Sequence, residues 1–288
     1  MRTRLPGPLM ALAALLLASP VMAEPRQVWE ATGFKTPESV IYDLAGELIY
    51  VSNVNGEPGV KDGNGFISKL DPAGRIEQLE WVKGLDAPTG MTLANGALYV
   101  ADVDRLVAID VATGEIVARY EAKGARLNDV TADTQARIFV SDILTNRIWM
   151  LDGESFQLWV DDPALDGPNG LLAENTRLVV ASWGTVGEGS GEKVLGHLKT
   201  VDLATKAVGD LGRGEPLGNL DGLVSDGSEG YFATDWSTGT LLHVAADGTA
   251  TKPLTLGQGT ADLGIVPELK VVLIPMMRGD RVVAYRLE

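Results

Sequence analysis

A chain of 288 residues with 24 Lys and Arg against 39 Asp and Glu carries a formal charge of −15, which repels nucleic-acid phosphates and acidic lipid surfaces and favours a cation. It has no cysteine, so disulfides, thiolate zinc sites and cysteine nucleophiles are excluded and stability must come from the packed core.

At the N-terminus, Arg2 and Arg4 precede an apolar run over 9–18, and Val21-Met22-Ala23 offers the small residues that a signal peptidase takes. The run is too short to span a bilayer, so residues 1–23 read as a cleaved signal and 24–288 as the mature domain, periplasmic or secreted. Losing Arg2 and Arg4 takes the formal charge from −15 to −17. Residues 27–31 then form an isolated strand whose role is clear only from the other end of the chain.

From there the chain repeats itself. Related segments begin at Pro37-Glu38-Ser39, Pro88-Thr89-Gly90, Leu127-Asn128-Asp129, Pro168-Asn169-Gly170, Leu220-Asp221-Gly222 and Thr260-Ala261-Asp262, at spacings of 51, 39, 41, 52 and 40 residues. Such a period with four short strands per unit predicts an all-β, six-bladed β-propeller. In the second repeat the strands fall at 90–93, 97–101, 105–110 and 115–120, separated by Ala94-Asn95-Gly96, Asp102-Val103-Asp104 and Ala112-Thr113-Gly114. The third repeat places strands at 137–141, 147–151 and 156–160, and the fifth at 230–234 and 240–244. The last repeat stops after its third strand, at 281–287, so strand 27–31 is expected to complete blade six and close the ring. No segment sustains a helical period.

Up-and-down strands bring every repeat start, and every loop between the second and third strands, to one mouth of the central channel. Two of those loops are long, 53–65 in blade one and 183–196 in blade four. They are expected to face each other as flaps over a small ligand.

The second residue of each repeat start reads Glu38, Thr89, Asn128, Asn169, Asp221 and Ala261 around the ring. Two carboxylates and two carboxamides form a hard oxygen donor set. It suits calcium best, magnesium or manganese less well, and argues against zinc. Taken singly, Asn128, Asn169 and Asp221 also suit turns, whereas a glutamate opening an inner strand buries its charge unless a cation meets it. Arg126 lies two residues before Asn128, on the same side of an extended segment, where it can bind a carboxylate or hydroxylated substrate or pair with a surface acid. Asp102, Asp142 and Asp235, at the ends of second strands, read as caps of the following turns. His197 and His243 fall away from the channel, leaving no Ser/His/Asp arrangement.

At these residues the sequence resembles the senescence marker protein, gluconolactonase and luciferin-regenerating enzyme family, six-bladed propellers with a divalent cation in the channel. Glu38-Ser39-Val40-Ile41-Tyr42 is similar to the family's first-blade segment, although Val40 stands where proline is usual and Tyr42 where tryptophan is. Arg126-Leu127-Asn128-Asp129 resembles its Arg-x-Asn-Asp element, Pro168-Asn169-Gly170-Leu171 its asparagine segment and Asp221-Gly222-Leu223 its aspartate segment. The resemblance implies a metal held by Glu38, Asn128, Asn169 and Asp221, substrate contacts from Arg126 and Asn128, and Asp221 as the base in hydrolysis of a lactone or related ester. The alternatives are an exported monomeric propeller that binds a ligand or protein around a structural ion, and an enzyme acting on carbon–nitrogen or carbon–carbon bonds.

Overall fold

The computed structural model describes residues 25–185 and 194–287, so the expected signal segment and the tip of the blade-four loop lie outside the described residues. Six four-stranded antiparallel sheets form a propeller. Blade one is built from strands Pro37–Asp43, Leu48–Asn53, Gly65–Leu70 and Ile76–Leu85, and the next four blades follow the same inner-to-outer order. In blade six the three strands Gly264–Val266, Val271–Met276 and Arg281–Arg286 are joined on the outside by Arg26–Thr32 from the opposite end of the chain. Trp29 pairs with Ala284 and Ala31 with Val282, so the ring closes as the sequence predicts.

Local chemistry explains the strand order. Asn95 and Gly96, at φ 49° and 78°, form the left-handed two-residue turn that joins consecutive antiparallel strands without splaying them. Strand Ile138–Asp142 is buried along its whole length because neighbouring blades cover both of its faces. Outer strand Ile116–Glu121 instead alternates half-buried and exposed positions, as a sheet edge facing water on one side must. The apolar core is divided among the blade interfaces. Phe139, Ile148, Leu171 and Val180 pack between blades three and four, and Tyr50, Ile67, Leu98 and Val107 between blades one and two. Phe34, Leu70, Leu273 and Val282 seal the closure between blades six and one.

The inner strands carry one irregularity in common. Pro37 pairs with Asn53 and Val40 with Val51, so three steps on the inner strand oppose two on its neighbour. The same extra residue occurs at Pro88 to Met91, Leu127 to Val130, Pro168 to Leu171 and Leu220 to Leu223. These are β-bulges, which re-aim side chains, and each contains the second and third residues of a repeat start. The displaced third amide is satisfied by a hydroxyl from the second strand: Ser39 N donates to Ser52 Oγ, Asp129 N to Ser141 Oγ and Gly222 N to Thr234 Oγ1, each at 2.9 Å.

Candidate active site at the channel mouth

Glu38, Thr89, Asn128, Asn169 and Asp221 line one cavity of about 470 Å³ at the mouth of the channel, together with Arg126. Residues up to 183 positions apart in sequence, from Glu38 to Asp221, therefore converge through the bulges of five different blades. Ala261, the sixth member of the series, supplies only backbone: its carbonyl accepts from Thr234 Oγ1 at 2.9 Å. Thr89 donates to the Asn128 carbonyl at 2.7 Å and so fixes that segment.

Four oxygens at this floor are buried and have no hydrogen-bond partner among the described residues: Glu38 Oε2, Asn128 Oδ1, Asn169 Oδ1 and Asp221 Oδ1. Among the described residues only seven side-chain polar atoms are in that condition, and one of the other three, on Asp104, belongs to a residue ion-paired with Lys61. An unpartnered buried oxygen costs about 1–3 kcal/mol, so four on one cavity constitute a strong local penalty for the protein alone. A hard cation that accepts carboxylate and carboxamide oxygens removes that penalty, and the residues present fit such a group.

Electrostatics agree with the hydrogen-bond pattern. Burial pushes the Glu38 carboxyl well above its ordinary range, and the nearby Asp221, Asp262 and Asp129 add to the rise while Arg126 opposes it. Asp221 is raised by burial and by Asp262, with the Asn169 side chain pulling the other way. Among the described residues no carboxylate forms a salt bridge with Arg126, so its guanidinium remains available to the cavity; burial lowers its proton affinity and Glu38 partly restores it.

Two carboxylates at the axis were not singled out by the sequence pattern: Asp129 and Asp262, the third residues of their repeat starts. Both line a separate cavity of about 240 Å³ on the far side of the channel. Asp129 accepts from Leu171 N of blade four and from Val130 N, each at 2.6 Å, and Asp262 accepts from Ser39 Oγ of blade one. They staple neighbouring blades together. The other blades make room for them, since a Cβ on Gly90 would strike Asp129 Oδ1 and one on Gly222 would sit 2.5 Å from Asp262 Oδ1. Reading third positions together with second ones would have exposed this layer.

The remaining predicted residues fall outside the floor. Asp102 accepts from the amides of Asp86 and Ala87 and Asp142 from Arg126 N at 3.0 Å, capping the chain before a repeat start rather than the backbone of the following turn, whereas Asp235 accepts from Ser237 N at 3.0 Å and caps the turn after it as expected. His197 is bonded to Asp210 and His243 to Asp226, each at 2.8 Å, and neither lines the cavity. The blade-one loop is held down by the Lys61–Asp104 ion pair and by Gly63 N donating to Asp86 Oδ1 at 3.0 Å. It leans on blade two and reaches Arg126 of blade three, where a Cβ on Gly59 would overlap the guanidinium. Pro58 of this loop and Trp183 at the start of the blade-four loop both line the cavity; residues 186–193 of the expected counterpart lie outside the described residues.

Fold and floor together define the class: a six-bladed propeller with an oxygen-rich site on its axis. No protein-family model matches the chain, nor does any curated protein. Among solved structures it is similar to a gluconolactonase from Xanthomonas campestris, with a TM-score of 0.65 at 16% identity over 95% of this chain and 99% of that one. It is also similar to a streptogramin B lyase, with a TM-score of 0.63 at 12% identity over 90% and 97%. Both likenesses are of fold.

Proposed function

We propose that the chain is a divalent-cation-dependent hydrolase of lactones or related esters. The observation that carries this reading is the set of four buried oxygens from four blades on one cavity floor that, among the described residues, have no partner, beside Arg126. Glu38, Asn128, Asn169 and Asp221 would hold the ion, and calcium is the cation that such a set suits best. Two carboxylates balance one dication. When bound, the ion supplies Lewis-acid polarisation of the ester carbonyl.

The chain's own residues do the rest. Arg126 orients the substrate by donating to an oxygen of the ester, and the Asn128 carboxamide beside it fixes the approach. Asp221 receives the proton of the attacking water. Sharing Asp221 with a cation lowers its proton affinity, so its basicity in the loaded enzyme is set by whichever oxygen stays free. Cavity size is appropriate for a small molecule. The fold likeness to a gluconolactonase supports lactones as the first substrates to try, and the likeness to a lyase makes the bond-breaking chemistry part of the test.

That test is to strip the protein with chelator, add back calcium or manganese, and assay lactones and aryl esters in water enriched in heavy oxygen. Cation-dependent release of an acid carrying solvent oxygen, lost in Glu38→Gln and Asp221→Ala, is expected. Product without solvent oxygen means elimination and overturns hydrolysis. Thermal stabilisation by cation with no turnover of any ester supports instead a binding propeller around a structural ion.

A further inference from the structure

Above the polar floor the cavity changes character, and the change is written into the repeat. In each blade the first residue after the second strand is apolar: Val54, Val103, Ile143, Trp183, Trp236 and Met277. Five of the six, all but Val103, line the cavity. Their backbones are set alike, because each of these five amides donates to the carbonyl of the residue preceding the repeat start, as Trp236 N does to Asn219 O at 3.1 Å and Met277 N to Gly259 O at 2.9 Å. The positions therefore form a collar one level above the four unpartnered oxygens.

The collar is widest in blades four to six. The Trp183 and Trp236 rings lie 6.0 Å apart at 48° and are only half-buried. The indole N–H of Trp236 is occupied within the collar, donating to Met277 Sδ at 3.2 Å, and Arg278 stacks 5.0 Å from the same ring. Ile143 is also half-buried, and Leu144 beside it is 58% exposed at the rim. Among the described residues that line the cavity Arg126 is the only cation, and blade three, which carries it, stands across the ring from Met277 in blade six.

Together with the hydrolase reading, on which it rests, the geometry points to a substrate class: lactones or esters carrying an aliphatic or aromatic substituent, with the ester at the floor and the substituent against the Trp183–Trp236–Met277 arc. A polyhydroxylated lactone would leave most of its hydroxyls against the Trp236 ring, Met277 and Ile143, and desolvating a hydroxyl without a partner is costly. An alkyl chain gains the transfer free energy of each methylene instead.

The measurement is kcat/KM of the calcium-loaded protein for γ-butyrolactones with ethyl, butyl and hexyl substituents, set beside δ-gluconolactone. Calorimetric binding of 2-hexylcyclopentanone, which cannot be hydrolysed, is measured in parallel. The expected result is a rise in kcat/KM of roughly fourfold per methylene, flattened in Trp236→Ala and, as a rim change that leaves the core intact, in Leu144→Asp. Ketone binding should weaken in the same two variants. Turnover of δ-gluconolactone equal to or faster than that of the hexyl lactone, with no chain-length dependence, overturns the substrate class and leaves the hydrolase reading standing. If no ester is turned over, the hydrolase reading fails and the ketone decides the collar: binding weakened by Leu144→Asp supports it, and no binding overturns it.

Discussion

Adjacent residues on the same bulges have opposite fates. Asn128 faces the mouth with a carboxamide oxygen that none of the described residues satisfies, whereas Asp129 accepts two backbone hydrogen bonds and ties blade three to blade four. Glu38 and Ser39 divide in the same way, Glu38 unpartnered and Ser39 bonded to Asp262. Burial of a polar side chain is thus common to both layers and marks neither. What distinguishes a site from a staple is whether the buried oxygen has been given a partner, since a protein that leaves four unpaired at one place gains nothing in stability by it.

Substitution separates the layers most sharply at Asp221. Asp221→Asn keeps an oxygen for the ion and removes the base, and steady-state kinetics should show turnover falling about 10²–10⁴-fold; an unchanged rate would remove Asp221 from the chemistry. In the staple layer, Asp129→Ala leaves the buried amides of Leu171 and Val130 without an acceptor. Denaturant unfolding should show a loss of about 1–3 kcal/mol per amide, with or without calcium. Asn169→Ala should do the reverse, with little change in chelator and loss of the stabilisation that calcium gives.

The pH dependence sharpens the same contrast. Burial lifts Asp262 to about 7, opposed by Ser39, and holds Glu38, Asp129 and Asp221 well above their ordinary range. With folded pKa values above the unfolded ones, the folded protein binds more protons in that window. In chelator the stability these four carboxyls contribute should be full below pH of about 4 and be lost as pH rises through about 7. Calcium should flatten that fall, and melting curves from pH 5 to 8 read it; stability that rises with pH in chelator contradicts the account. Smallest of all, His197→Asn and His243→Asn should leave turnover within about twofold, because a histidine outside the cavity does not move the reacting protons.

Much of the ring was legible in the sequence because it follows from periodicity. The repeat starts from Pro37 to Thr260, the missing fourth strand of the last repeat and the isolated strand around Trp29 determine six closed blades without any contact being known. The convergence of the floor was legible for the same reason: equivalent positions in a closed ring meet at the axis, so Glu38, Asn128, Asn169 and Asp221 were brought together by position, and residue type only selected them from the six. The bulges were not legible, since an extra residue shows itself only against the partner strand that it fails to match. Nor was the staple layer, because Asp129 and Asp262 alternate with glycine and serine and break the pattern of types. The contacts of the blade-one loop were not legible, because glycine content signals freedom, while Lys61 and Gly63 find partners in blade two that are remote in sequence. Trp183 and Trp236 look like isolated loop aromatics until the ring brings them within 6.0 Å.

Calcium titrated calorimetrically into chelated protein, followed by anomalous scattering from crystals grown with manganese, tests the central claim most directly. The account predicts one ion per chain among Glu38, Asn128, Asn169 and Asp221, absent in Asn169→Ala. Saturation without an ion at that point, or binding that survives the substitution unchanged, would contradict it.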